Sequence, residues 1–186
     1  MFDKPLKFTC VSDTKILDSG PRVGHQIYKF QTKKKRVYHV HIEEYENKVF
    51  VVKYHLKIHE NRKDRFKIII NDGNANQVIG TVLAITLTIW RANNYSSFAF
   101  IGVYKISLPE YRHKRESPDT ARTQRFTIYQ RLVASSFGKE AFLHSADTER
   151  NAYIMVSTKN PDTLNFLQRI VDMFGSIYND FTELSS

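Results

Sequence analysis

The chain has 186 residues, 41% hydrophobic and 13% aromatic, which is enough apolar material to bury one core and too much for a disordered chain. Its 28 basic residues outnumber 19 acidic ones, for a formal charge of +9, and such a balance favours acidic partners, nucleic acid being the commonest. The one cysteine, Cys10, excludes an internal disulfide and a zinc site built from cysteines of this chain; with no apolar leader in MFDKPLKFTC, it points to a reducing, cytoplasmic setting.

Residues 1–24 carry Pro5, Gly20, Pro21 and Gly24 among short apolar patches and read as a lead-in segment with one strand at 7–11. From His25 the chain alternates. Tyr28 and Phe30 alternate with Lys29 and Gln31, then Tyr38, Val40 and Ile42 with His39, His41 and Glu43. Phe50, Val52, Tyr54, Leu56 and Ile58 alternate with Val51, Lys53, His55 and Lys57. Period two marks strands with one buried face, so three strands joined by turns at 32–36 and 44–48 form an antiparallel meander. A fourth strand is expected at 66–70, after the charged turn 59–65. These registers place Lys29, His39, His41, Lys53, His55, Lys57 and Lys67 on one outward face, with Lys33, Lys34, Lys35 and Arg36 at a hairpin tip.

Asn71-Asp72-Gly73-Asn74 is a strand-to-helix turn with Asp72 or Asn74 as cap. The helix it opens, 75–93, is apolar on most sides through Val78, Ile79, Val82, Leu83, Ile85, Leu87, Ile89 and Trp90, the pattern of a central helix packed on a sheet. Gly80, Thr81, Thr86 and Thr88 break that run, which is too short to cross a bilayer. A strand follows at 97–104. Residues 108–121, LPEYRHKRESPDTA, are dense in charge and hold two prolines, as an exposed, mobile loop does.

Residues 122–137 place Phe126, Tyr129, Leu132, Val133 and Phe137 on one stripe of a helix. Strands at 141–145 and 152–158 meet at the turn 146–151. Asn160-Pro161-Asp162 signals a helix start with proline at the first helical position. That helix carries Leu164, Leu167, Ile170, Val171 and Phe174 before Gly175 interrupts it, and Ile177, Tyr178, Phe181 and Leu184 continue a helix or offer an apolar surface to a protein partner or a second copy. The class expected is α+β: an N-terminal antiparallel meander, a central buried helix, then alternating strands and helices completing one sheet with helices on one face. The organisation expected is a lead-in at 1–24 and one domain at 25–186.

Two surfaces carry the candidate chemistry. Arg122 and Arg125 fall in the first turns of the buried side of helix 122–137, where free N–H groups and the helix dipole favour an anion. With Arg131, and Tyr129 as a donor, they can clamp a phosphate or carboxylate, or else pair with Asp72, Glu110, Asp147 or Glu149 of the same chain. The second surface is Lys29, Lys33, Lys34, Lys35, Arg36, His39, His41, Lys53, His55 and Lys57, which can follow a phosphate backbone by counterion release, with nearby rings stacking on unpaired bases. Glu43, Glu44 and Glu46 interrupt that surface, and hairpin tips are often lysine-rich for solubility alone.

His39 and His41 with Glu46 match HxHx4E, the core of a cupin metal motif, and His55 offers a cross-strand ligand. Lys33 and Lys53 stand where the bracketing glycines belong, so neither a metal nor any other cofactor is expected. Phosphate-binding glycine loops, a nucleophile elbow and a zincin helix are all missing, and Cys10 has no partner at meaningful spacing. Catalytic residues stay unassigned, and the reading leans away from an enzyme.

Tyr28-x-Phe30-x-Thr32, the alternating strand at Tyr38, the helix near Thr81-Val82-Leu83, the strand ending Phe100-Ile101-Gly102 and Arg122-Thr123-x-Arg125-x-x-x-Tyr129 together resemble small proteins of unknown function from Bacteroidetes-type bacteria, over residues 26–158. The resemblance draws attention to Arg122, Arg125 and Tyr129 and implies no activity. The function expected is a small, basic intracellular binding or adaptor protein that recognises RNA or DNA, with no membrane association. The alternatives are an enzyme or sensor holding a phosphorylated small molecule at Arg122 and Arg125, and a protein-interaction subunit of a bacterial defence or mobile-element system.

Overall fold

Alternation of large apolar and polar side chains from residue 22 onward folds into strands that pair in chain order. In the computed structural model the described residues are 4–17, 20–66, 68, 73–101, 133, 137–138, 140–147 and 152–177. They divide into two units, Met1–Phe98 and Ala99–Ser186, and each is described by itself. Counting both, the described residues hold seven strands and two α-helices, an α+β composition with an antiparallel series first and a helix in the middle of the chain.

In the first unit, β1 (Phe8–Lys15), β2 (Arg22–Gln31), β3 (Val37–Tyr45) and β4 (Val49–Leu56) are consecutive antiparallel neighbours. The strand expected at 7–11 therefore runs further, to Lys15, and the alternating series begins at Arg22 rather than His25. β1 is irregular between Cys10 and Ser12, where its register shifts, the sort of bulge that blunts an exposed edge. A turn at 32–36 joins β2 to β3: Lys35 N–H donates to the Thr32 carbonyl at 2.9 Å and Thr32 N–H to the Arg36 carbonyl at 2.9 Å.

Register sets Phe30, Tyr38 and Leu56 side by side, then Tyr28, Val40 and Tyr54, then Ile42 and Val52. Phe30 and Tyr38 stack at 5.2 Å between ring centroids, and Tyr38 meets Tyr54 at 6.3 Å. Apart from half-buried Tyr28, these residues share the buried core of the unit with Val78, Ile79, Val82, Leu83 and Ile85 of helix α1 (Ala75–Ala92). α1 starts at Asn74, whose carbonyl accepts from Val78 N–H at 3.0 Å and whose side chain makes no capping bond. Thr81 and Thr86, the polar breaks in its apolar run, are buried with their hydroxyls donated to the Gln77 and Val82 carbonyls, which satisfies them inside the helix. No described helix is long and apolar enough to cross a membrane.

Period two predicted one buried face per strand, yet β4 has seven of its eight residues buried and β3 six of nine. Both faces are covered. The fourth strand predicted at 66–70 is not seen at Phe66, which lies in a turn, while 67, 69 and 70 fall outside the described residues.

β5 (Ser97–Ile101) spans the division, and Phe98 in the first unit stacks on Phe50 of β4 at 5.6 Å. In the second unit the strand order is β5, β7 (Ala152–Ser157), β6 (Phe142–Asp147), with β6 and β7 antiparallel from Phe142 opposite Ser157 to Asp147 opposite Ala152. All six residues of β7 are buried. The second helix, α2 (Thr163–Ile177), packs against β7 and buries Phe166, Ile170 and Phe174 at spacing four. Leu164, expected on the inner face, is 70% exposed. Pro161 is not the first helical residue either: Asp162, with φ 53°, breaks the helical path after it, and its carbonyl accepts the first helical bond from Phe166 N–H at 2.9 Å. Gly175 does not interrupt α2, which runs on to Ile177.

Candidate functional site

The described cations and imidazoles gather on β2, β3 and β4, in two settings. Lys29, Lys33, Lys34, Lys35, Arg36 and Lys57 are exposed. Register brings most of them to one end of the three strands, since the 32–36 turn closes β2 onto β3 and Leu56, just before Lys57, sits opposite Tyr38. Lys35 holds φ 59°, the left-handed position of the turn, which glycine or asparagine occupies at lower cost than a lysine does.

The rest of the expected outward face is not outward. His39 and His41 are 8% exposed and His55 is fully buried, because the chain after β4 folds back over them. A 3₁₀ turn at Lys57–His59 leads into turns through Phe66, stitched by Glu60 N–H to the Lys57 carbonyl, Arg62 N–H to that of His59 and Arg65 N–H to that of Arg62, at 3.0, 2.9 and 3.3 Å. The Phe66 ring stands edge-on to His41 and to His55, 5.2 Å from each. Arg65 lies over Phe66 at 4.9 Å and donates to the Glu60 carbonyl at 3.0 Å. His39 Nδ1 is 3.5 Å from Glu60 Oε1.

Beneath this cover three imidazoles form a line. His25 Nε2 is 3.0 Å from His41 Nδ1, and His41 Nε2 is 3.0 Å from His55 Nε2. His55 Nδ1 lies 2.8 Å from the Leu56 carbonyl, which only accepts, so that nitrogen carries the hydrogen and the remaining tautomers follow. His55 Nε2 accepts from His41 Nε2–H, and His41 Nδ1 accepts from His25 Nε2–H. The bare lone pair falls on Nδ1 of half-buried His25, at the more exposed end of the line.

Burial is the main cause that holds all four imidazoles below the ordinary histidine value; for His41, with His55, His25, Arg65 and His39 adding repulsion, the value falls to about 3. Glu60 opposes the shift at His39 and Glu43 at His25. The four rings are neutral at physiological pH. They therefore bring little positive charge to this face.

Lys53, also expected outward, is drawn into an ion pair: its Nζ donates to Glu43 Oε2 at 2.8 Å, with side-chain exposures of 17% and 12%. Tyr45 Oη donates to the same oxygen at 3.2 Å, and Arg22 approaches Glu43 Oε1 at 3.7 Å. His25, Glu43, Glu60, Arg65 and Phe66 are the participants the sequence pattern did not single out. The signal for a second covered face was the unbroken apolar run Val49-Phe50-Val51-Val52, typical of strands buried on both sides.

Among the described residues, no group of three or more His, Cys, Asp and Glu can hold a metal ion. His41 spends its two nitrogens on two different neighbours, so the rings are in series instead of converging, and Glu46 of the HxHx4E pattern lies beyond β3 in an exposed 3₁₀ turn. Arg122, Arg125, Tyr129 and Arg131, together with the loop 108–121, lie outside the described residues. Among the described residues of the second unit, Tyr153 Oη donates to His144 Nδ1 and His144 Nε2–H to the Phe137 carbonyl, both at 3.0 Å, which ties β6 to β7 and to the residues before β6.

No protein-family model matches the chain, and neither a curated protein nor a solved structure is significantly similar to it.

Proposed function

We propose that the protein is a binding protein for an acidic macromolecule, single-stranded nucleic acid in the first instance, and that the turn Lys33-Lys34-Lys35-Arg36 is its point of contact, flanked by Lys29 and Lys57. The observation that supports this most is the placement of six exposed basic residues, five on the β2–β3 hairpin and Lys57 in the turn after β4, on a chain with formal charge +9. The covered histidines and the Glu43-bound Lys53 are left out of the contact. Each phosphate neutralised should steepen the salt dependence of binding by about 0.7 for a single strand.

The test is fluorescence-anisotropy binding of a labelled single-stranded oligonucleotide across a salt series, with Lys33, Lys34, Lys35 and Arg36 replaced by serine in the comparison protein. The slope of log affinity against log salt should fall by about 3 in the variant, from four phosphate contacts at about 0.7 each. An unchanged slope, or no binding by the wild type at low salt, rejects the reading.

A further inference from the structure

We propose that the segment 57–66 is a proton-released cover, which acid uptake by the His25, His41 and His55 line lifts off β3 and β4 to bare a cationic face. The proposal does not rest on the binding reading above: the contact turn 33–36 and Lys29 lie outside the cover, which shares only Lys57 with that surface.

The geometry makes the line respond in steps. A first proton goes to His25 Nδ1, the bare lone pair, and leaves both ring-to-ring hydrogen bonds intact. A second finds no such place: on His41 Nδ1 or His55 Nε2 it destroys the bond that atom accepts, and on His41 it also sets a second cation on the ring next to His25, 5.1 Å away between centroids. Under a cover with little water, that repulsion is poorly screened.

What faces the line decides which contact gives way. β2 contributes Arg22 and Lys29 besides His25, β3 contributes His39 and Glu43, and β4 contributes Lys53 besides His55. From the cover come Lys57, His59, Glu60 and Arg65, with the Phe66 ring against His41 and His55. β1 brings no charge here, only Thr14 opposite His25. Glu43 already holds Lys53 at 2.8 Å, so the strand side is compensated and kept together by its ladder bonds. The cover side places Arg65 beside the line; its three turn hydrogen bonds run within 57–65 and give the segment its shape, while the Phe66 ring contacts with His41 and His55, Lys53 over that ring at 5.8 Å and the exposed Glu60 carboxylate beside His39 hold it to the strands. Protonated imidazoles therefore expel the cover before they part the strands, since the cheapest local opening is the one that breaks the fewest buried contacts.

Hydrogen exchange on the full chain reads this directly. With exchange corrected for intrinsic rates, the amides of Glu60, Arg62 and Arg65 should lose protection by about tenfold or more relative to those of β3 and β4 between about pH 7.5 and about pH 5. His25→Gln and His41→Gln, which keep polar contacts without titrating, should shrink that selective loss. If His41→Gln does not fold, His25→Gln decides alone. Unchanged protection of the cover at the lower pH, loss of cover and strands together, or an undiminished response in the folded variants would overturn the proposal.

Discussion

Two groups of basic side chains lie on the same three strands, and what surrounds them makes them chemically unlike. At the 32–36 turn, Lys33, Lys34, Lys35 and Arg36 are exposed. A few residues away, His39, His41 and His55 are closed under 57–66, where burial keeps them neutral, and Lys53 is tied to Glu43. Spacing along a strand assigns a residue to a face. Only the covering segment decides whether that face carries charge, because taking an ionised group out of water costs more than leaving it neutral or pairing it.

The largest expected effect comes from breaking the ion pair that lets a lysine remain under cover. Glu43→Ala should cost about 3 kcal/mol in urea unfolding, since it removes the carboxylate that pairs with the largely buried Lys53 and accepts from Tyr45. Little change would place Lys53 in solvent. Phe66→Ala attacks the cover itself and should cost about 2 kcal/mol, with a weaker dependence of stability on acid because wetted imidazoles return toward ordinary behaviour. An acid dependence equal to wild type would mean that Phe66 does not seal the line.

Acid alone is the next, smaller step. The four imidazoles titrate below 6.5 in the folded state and at about 6.5 when unfolded, so in that window the unfolded chain holds more protons. Stability is therefore fully present above about pH 6.5 and is lost as the pH falls toward about 3, by about 1.4 kcal/mol per pH unit for each extra proton bound on unfolding. A flat profile from pH 7 to pH 5 would contradict the covered face. The smallest change belongs to the exposed turn: Lys35→Gly should raise stability by about 0.5 kcal/mol, relieving the left-handed lysine against the entropy glycine adds to the unfolded chain. A loss of stability would show that the lysine side chain holds the turn.

Much of this was legible in the residues themselves. Alternation placed β2, β3 and β4 and paired Tyr38 with the core, the cap and the apolar run placed α1, and the basic tip emerged at the turn. The cover did not, because KIHENRKDRF has the composition of a solvated turn and its one sealing ring, Phe66, follows the charged residues as though opening another strand. Glu43 looked like an interruption of a basic face when it is the counterion of Lys53. In α2, Leu164 and Phe166 are equally good candidates for the inner stripe, and the left-handed Asp162, which sequence does not reveal, sets where the helix starts and so which one faces in.

The most direct test is a ¹H NMR pH titration of the histidine Cε1 protons, assigned by single substitutions. His25, His39, His41 and His55 should all titrate below 6.5, with His25 taking up its proton before His41. Midpoints at or above 6.5 for His39, His41 or His55 would mean that these rings meet water, and that the two cationic regions are one surface after all.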